Sequence, residues 1–174
     1  MKQITILILA TLLLLDLRLA KSETPQSSMT QKQTDTSVIA ILPFIDSGIG
    51  VFKKGKSAQL TPIDLSEIEK LLTDCINKYN MEQEKKFNAI SKEHPNTFDE
   101  NNFVIDLKHY KRQYIAFINE KGEKEVFINC FCRDWGKNWK KEIIMVKDGG
   151  NCYFNLKINL TTKTQYDLQV NGEA

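Results

Sequence analysis

The chain has 174 residues with 24 basic and 22 acidic side chains, a formal charge of +2, and 41% hydrophobic residues. So balanced a charge gives no overall electrostatic basis for binding nucleic acid or an anionic membrane. The length is enough for one domain with a core of its own.

The N-terminus reads as an export signal. Lys2 precedes an apolar run from Ile4 to Leu15, which Asp16 and Arg18 end. A membrane-spanning helix needs about 20 apolar residues, and this run is shorter, as in the h-region of a signal peptide. Ala20 and Ser22 form an A-x-S cleavage pattern, so residues 1–22 are read as a leader and Glu23 as the mature start. An uncleaved anchor is the rival. Loss of the leader removes three basic residues and one acidic one, and the charge falls to zero. Residues 23–37 (ETPQSSMTQKQTDTS) are too polar to offset their ordering entropy and read as a disordered tether. A single α+β domain is expected over 38–174.

Val38 to Ile45 (VIAILPFI) reads as a strand that Pro43 confines to an edge or ends early. Residues 46–60 read as a glycine- and lysine-rich loop. Within it, Gly50 to Ser57 (GVFKKGKS) fits the phosphate-binding pattern G-x-x-x-x-G-K-S. That chemistry needs a strand running into the loop and a helix starting at the Lys-Ser pair. Pro62 marks a later helix start, so a basic loop is the expected reading. A long helix follows, capped by Thr61 with Pro62 at its first position. Its apolar stripe is Ile68, Leu71, Leu72, Cys75, Ile76 and Tyr79, and it extends to about Ile90 before His94-Pro95 stops it.

Beyond the helix the period changes to two. Tyr110–Ile118, Lys124–Cys132, Lys141–Lys147, Cys152–Leu160 and Thr164–Val170 all read as strands, with Phe103–Leu107 as a short extra one. Short links at 120–123, 148–151 and 161–163 join antiparallel neighbours. The expected fold is α+β: one long helix packed on an antiparallel meander of about five strands, cystatin-like or NTF2-like in outline, an architectural likeness that implies no activity.

Alternation places Cys130 and Cys132 on one strand face, Cys152 with Phe154 and Leu156, and Cys75 on the helix stripe. All four thiols are therefore expected in the core. In a meander with a strand between them, Cys132 and Cys152 fall at opposite ends, which argues against a shared metal site. If a bridge forms, the expected pair is Cys75 with one of Cys130, Cys132 or Cys152. No metal and no cofactor is expected. His94 and His109 read as solvated, and no catalytic residue is assigned.

The loop between the second and third of these strands holds both tryptophans beside several cations. Arg133, Trp135, Lys137, Trp139 and Lys140 are the candidate ligand-binding residues, since indole beside cations suits stacking on sugars or aromatic groups. The alternative is that both indoles fold back onto the sheet.

The segments KHYKRQYIAFIN, GEKEVFINCFC and KDGGNCYFNLKINL resemble short uncharacterised exported proteins of Bacteroidota-type bacteria, over most of the sheet region and some of the helix. That resemblance implies a bacterial envelope location, periplasmic or extracellular, and carries no activity. In a eukaryotic host Asn159-Leu160-Thr161 would be a glycosylation sequon. Two functions remain: an exported, non-enzymatic module binding an unknown protein, peptide or glycan, or an enzyme with a thiol or phosphate site. No nucleic acid and no integral membrane segment after leader removal are expected.

Overall fold

A computed structural model describes residues 36–44, 55–133 and 136–172. The expected leader, the expected tether as far as residue 35, most of the glycine- and lysine-rich loop, and Trp135 lie outside the described residues. Among those described, no helix is long and apolar enough to cross a membrane.

The elements in chain order are strands β1 (Ile39–Ile41) and β2 (Lys56–Ser57), helix α1 (Pro62–Glu93), and strands β3 (Lys111–Ile118), β4 (Lys124–Phe131), β5 (Tyr153–Asn159) and β6 (Thr164–Val170). The fold is α+β, with one helix on one mixed sheet of order β1-β3-β4-β5-β6. The pairings are antiparallel except that β1 runs parallel to β3, with Ile39 opposite Arg112. A parallel pair needs a long crossover, and α1 lies within it. β1 is an edge strand and ends before Pro43. β2 shares the same edge of β3 further along, with Lys56 opposite Ile118.

The start of α1 is fixed locally. The Asp64 N–H donates to Thr61 Oγ1 at 3.2 Å, and the Thr61 N–H donates to Asp64 Oδ2 at 2.7 Å. This reciprocal capping, with Pro62 in the first turn, satisfies donors that a helix leaves open. Only Ile68, Leu71, Leu72, Cys75 and Ile76 are buried on the helix. They meet Tyr114, Ala116, Val126, Ile128, Cys130, Phe154, Leu156 and Ile158, the side chains of one sheet face.

The second face is covered as well. Ile115, Phe117, Phe127, Phe131 and Tyr153 pack there with Leu42 and Trp139, and Phe44, Ile143, Ile144 and Val146 join them. The expected strand at Lys141–Lys147 does not form. Its Ile143, Ile144 and Val146 cover the sheet instead of pairing within it, because two side-chain amides capture its backbone. Gln113 Nε2 donates to the Trp139 and Glu142 carbonyls at 2.5 and 2.7 Å, and its Oε1 accepts from the Ile144 N–H at 2.9 Å. Asn129 Nδ2 donates to the Ile144 carbonyl at 2.7 Å and to Gln113 Oε1 at 2.9 Å. Phe103–Leu107 is not a strand either. Asp99 and Asp106 cap short 3₁₀ turns on either side of it.

With no strand between them, β4 and β5 pair directly, Phe131 opposite Tyr153. The next pair in register is Cys132 and Cys152. They form a disulfide with Cα atoms 5.0 Å apart. This corrects the expected partnership of Cys75, which is a free buried thiol, as is Cys130. The separation expected for Cys132 and Cys152 assumed an intervening strand. Cys130 does lie on the helix side of the sheet, whereas Cys132 stands exposed past the end of β4 and Cys152 belongs to the second face.

Candidate functional site

The helix outruns the sheet. Its Asn80 holds the returning chain like a strand partner: Nδ2 donates to the Ile105 carbonyl and Oδ1 accepts from the Ile105 N–H, both at 2.8 Å. Asn151 Nδ2 donates to the Asn101 and Val104 carbonyls at 2.8 and 2.7 Å, and the Asn151 carbonyl accepts from the Tyr110 hydroxyl at 2.8 Å. Asn171 Nδ2 donates to the Val146 and Asp148 carbonyls at 2.7 and 3.1 Å. Three asparagines thus tie four irregular segments together at one end of the sheet.

Between these segments lies a cleft of about 260 Å³, open to solvent. Its helical wall is Tyr79 and Gln83, one turn apart. Phe98, Asn102 and Phe103 form a second wall, and Gly150, Asn151, Val170 and Asn171 close the third side. Phe103 meets Phe87 and Phe98 at centroid distances of 5.3 and 6.2 Å, which builds an aromatic wall from residues with no common period. No lining side chain is charged. Burial pushes the Tyr79 phenol above its ordinary pKa, so it stays neutral. Neither its hydroxyl nor the carboxamides of Gln83 and Asn102 make a hydrogen bond among the described residues, so the cleft presents open donors and acceptors beside three rings.

The tryptophan loop is divided. Trp139 is buried at 7% exposure and meets Phe131 edge-on at 5.9 Å. Lys111 Nζ and Lys140 Nζ each lie 5.3 Å from its ring centroid. Its indole is thus a cover for the second sheet face, the role given above as the alternative to a binding platform. Arg133 and Lys140 are exposed, Lys137 falls in the 3₁₀ turn Gly136–Asn138, and Trp135 is outside the described residues. The loop therefore offers exposed cations with one indole withdrawn.

The other chemical candidates are placed away from use. Lys56 and Ser57 sit in β2, not at a helix start, so the end of the phosphate-loop pattern has the wrong backbone. Burial pushes the thiols of Cys75 and Cys130 up, against a partial lowering by Lys78 and Arg112 respectively, and a nucleophilic cysteine needs the opposite. His94 caps the C-terminus of α1, and His109 faces Asp106 at 3.5 Å. Among the described residues no group of three or more His, Cys, Asp or Glu is placed to hold a metal. Asn159 is buried, and its amide donates to Glu123 at 2.9 Å and Glu125 at 3.4 Å, so the sequon cannot carry a glycan in this fold.

Sequence reasoning missed the cleft because its residues come from four segments. The one legible sign is the helical stripe, which changes past Ile76 from aliphatic to Tyr79, Gln83 and Phe87. No protein-family model, curated protein or solved structure matches the chain.

Proposed function

We propose that this protein is an exported, non-enzymatic binding module of a bacterial envelope, with its ligand seated in the cleft between α1 and the end of the sheet. One observation carries the binding reading: open hydrogen-bonding groups and aromatic rings converge in a concave, uncharged site whose walls are tied by Asn80, Asn151 and Asn171. Recognition sites combine apolar lining with a few placed polar groups in this way. Export is supported by the leader-like N-terminus and by a cystine, which persists in oxidising compartments.

A fragment library followed by residue-resolved NMR tests the site. Hits are expected to shift the resonances of Tyr79, Gln83, Phe98 and Phe103 together. Hits confined to Arg133 and Lys140 would return the site to the tryptophan loop. Export is tested by fractionating the host, where recovery outside the cytoplasm is expected and a wholly cytoplasmic pool would contradict it, and leader cleavage by N-terminal sequencing, where a start at Glu23 is expected and an intact Met1 would favour the uncleaved anchor.

A further inference from the structure

We infer that the cleft binds one ring of a neutral carbohydrate, so that the module's ligand is a glycan. This rests on the reading of the cleft as the binding site. Three features of the lining select the ligand class. First, the absence of charge on the lining residues leaves no counter-ion for a phosphate or carboxylate. Second, each carboxamide offers both a donor and an acceptor, and Gln83, Asn102 and the Tyr79 hydroxyl have theirs open. A sugar hydroxyl likewise donates and accepts at once, so it can satisfy either end of an amide. Third, Phe98 keeps 44% of its surface exposed at the cleft wall, an apolar platform for the C–H face of a pyranose ring.

A peptide is less well served. Strand addition needs an open row of backbone groups. At several wall positions the backbone N–H is already engaged: the Asn171 N–H donates to the Tyr153 carbonyl and the Gly150 N–H to the Gly172 carbonyl, both at 3.0 Å. The Phe103 N–H donates to the Glu100 carbonyl at 2.9 Å. Those positions leave recognition there to the side chains of Tyr79, Gln83 and Asn102. The volume, about 260 Å³, lies below the 300–1,000 Å³ common for drug-sized ligands, which suits a single ring with the rest of the chain leaving through the mouth.

Calorimetric titration of the full chain with chitohexaose, cellohexaose, maltohexaose and mannohexaose tests this, beside an alanine-glycine hexapeptide and inorganic phosphate. Saturable binding of at least one hexasaccharide is expected, weakened about tenfold by Phe98→Ala. Asn102→Ala should weaken it too, and both positions are exposed enough for the variants to fold. Peptide or phosphate binding that Phe98→Ala weakens, with no sugar bound, would keep the cleft as the site and overturn the carbohydrate class. Sugar binding indifferent to both variants would overturn the cleft itself, and no sugar binding at all overturns the inference.

Discussion

Gly149 shows how narrowly one position can be constrained. Its φ is +98°, and a Cβ added there would stand 2.6 Å from the Tyr153 ring. Gly149→Ala therefore combines an unfavourable backbone with a clash in the second core. A loss of about 1–3 kcal/mol is expected in chemical denaturation, against a few tenths for the same change at open Gly172. Asp64 carries a different kind of constraint. Burial pushes its carboxyl up, but Lys124 Nζ at 2.5 Å and the Thr61 donors pull it further down, and the net lies below the ordinary 3.8. A depressed folded-state pKa stabilises the fold above 3.8 and loses that contribution as pH falls through the lower folded value. Urea midpoints should therefore drop on the acid side of 3.8, and Asp64→Asn should flatten that part of the curve. An unchanged curve would mean that the contact with Lys124 does not persist in solution.

At the scale of elements, the decisive pair is Gln113 and Asn129, both buried on the second sheet face. A buried glutamine in a strand is costly unless its amide is satisfied. Here it is satisfied by the segment that then cannot become a strand. Gln113→Leu keeps the volume but leaves the Trp139 and Glu142 carbonyls and the Ile144 N–H without their partner. The expected cost is about 2–4 kcal/mol, with loss of hydrogen-exchange protection at the Ile144 amide. Retained protection would show that packing of Ile143 and Val146 alone holds the segment. This pair also explains what the sequence concealed. The stripe Ile68–Ile76, the Thr61 cap and the alternation in β3, β4 and β5 were legible because each follows from local period and capping. The fate of Lys141–Lys147 was not, since its apolar content suits a strand or a cover equally, and only a glutamine and an asparagine far off in sequence choose between them.

Over the whole molecule, that choice sets the topology. Because 141–147 leaves the sheet, β5 becomes the neighbour of β4, and the register that pairs Cys130 with Phe154 carries Cys132 onto Cys152. An error over one element thus became an error over which cysteines meet. The same rearrangement gives the sheet two covered faces, with α1 on one and the 139–146 segment on the other, and closes that segment covalently. A bridge across a sequence separation of 20 residues stabilises by about 3 kcal/mol through the unfolded chain. Reduction should therefore lower the denaturation midpoint by that order. Replacing both Cys132 and Cys152 by serine should do the same, whereas Cys75→Ser acts only through its own burial. Thiol labelling separates the pairs. In the folded protein without reductant Cys75 and Cys130 should resist labelling, being buried with raised pKa values. Unfolding without reductant should expose two thiols, and reduction four. Four thiols in the unfolded, unreduced protein would refute the Cys132–Cys152 bridge and, with it, the structural support for an oxidising destination.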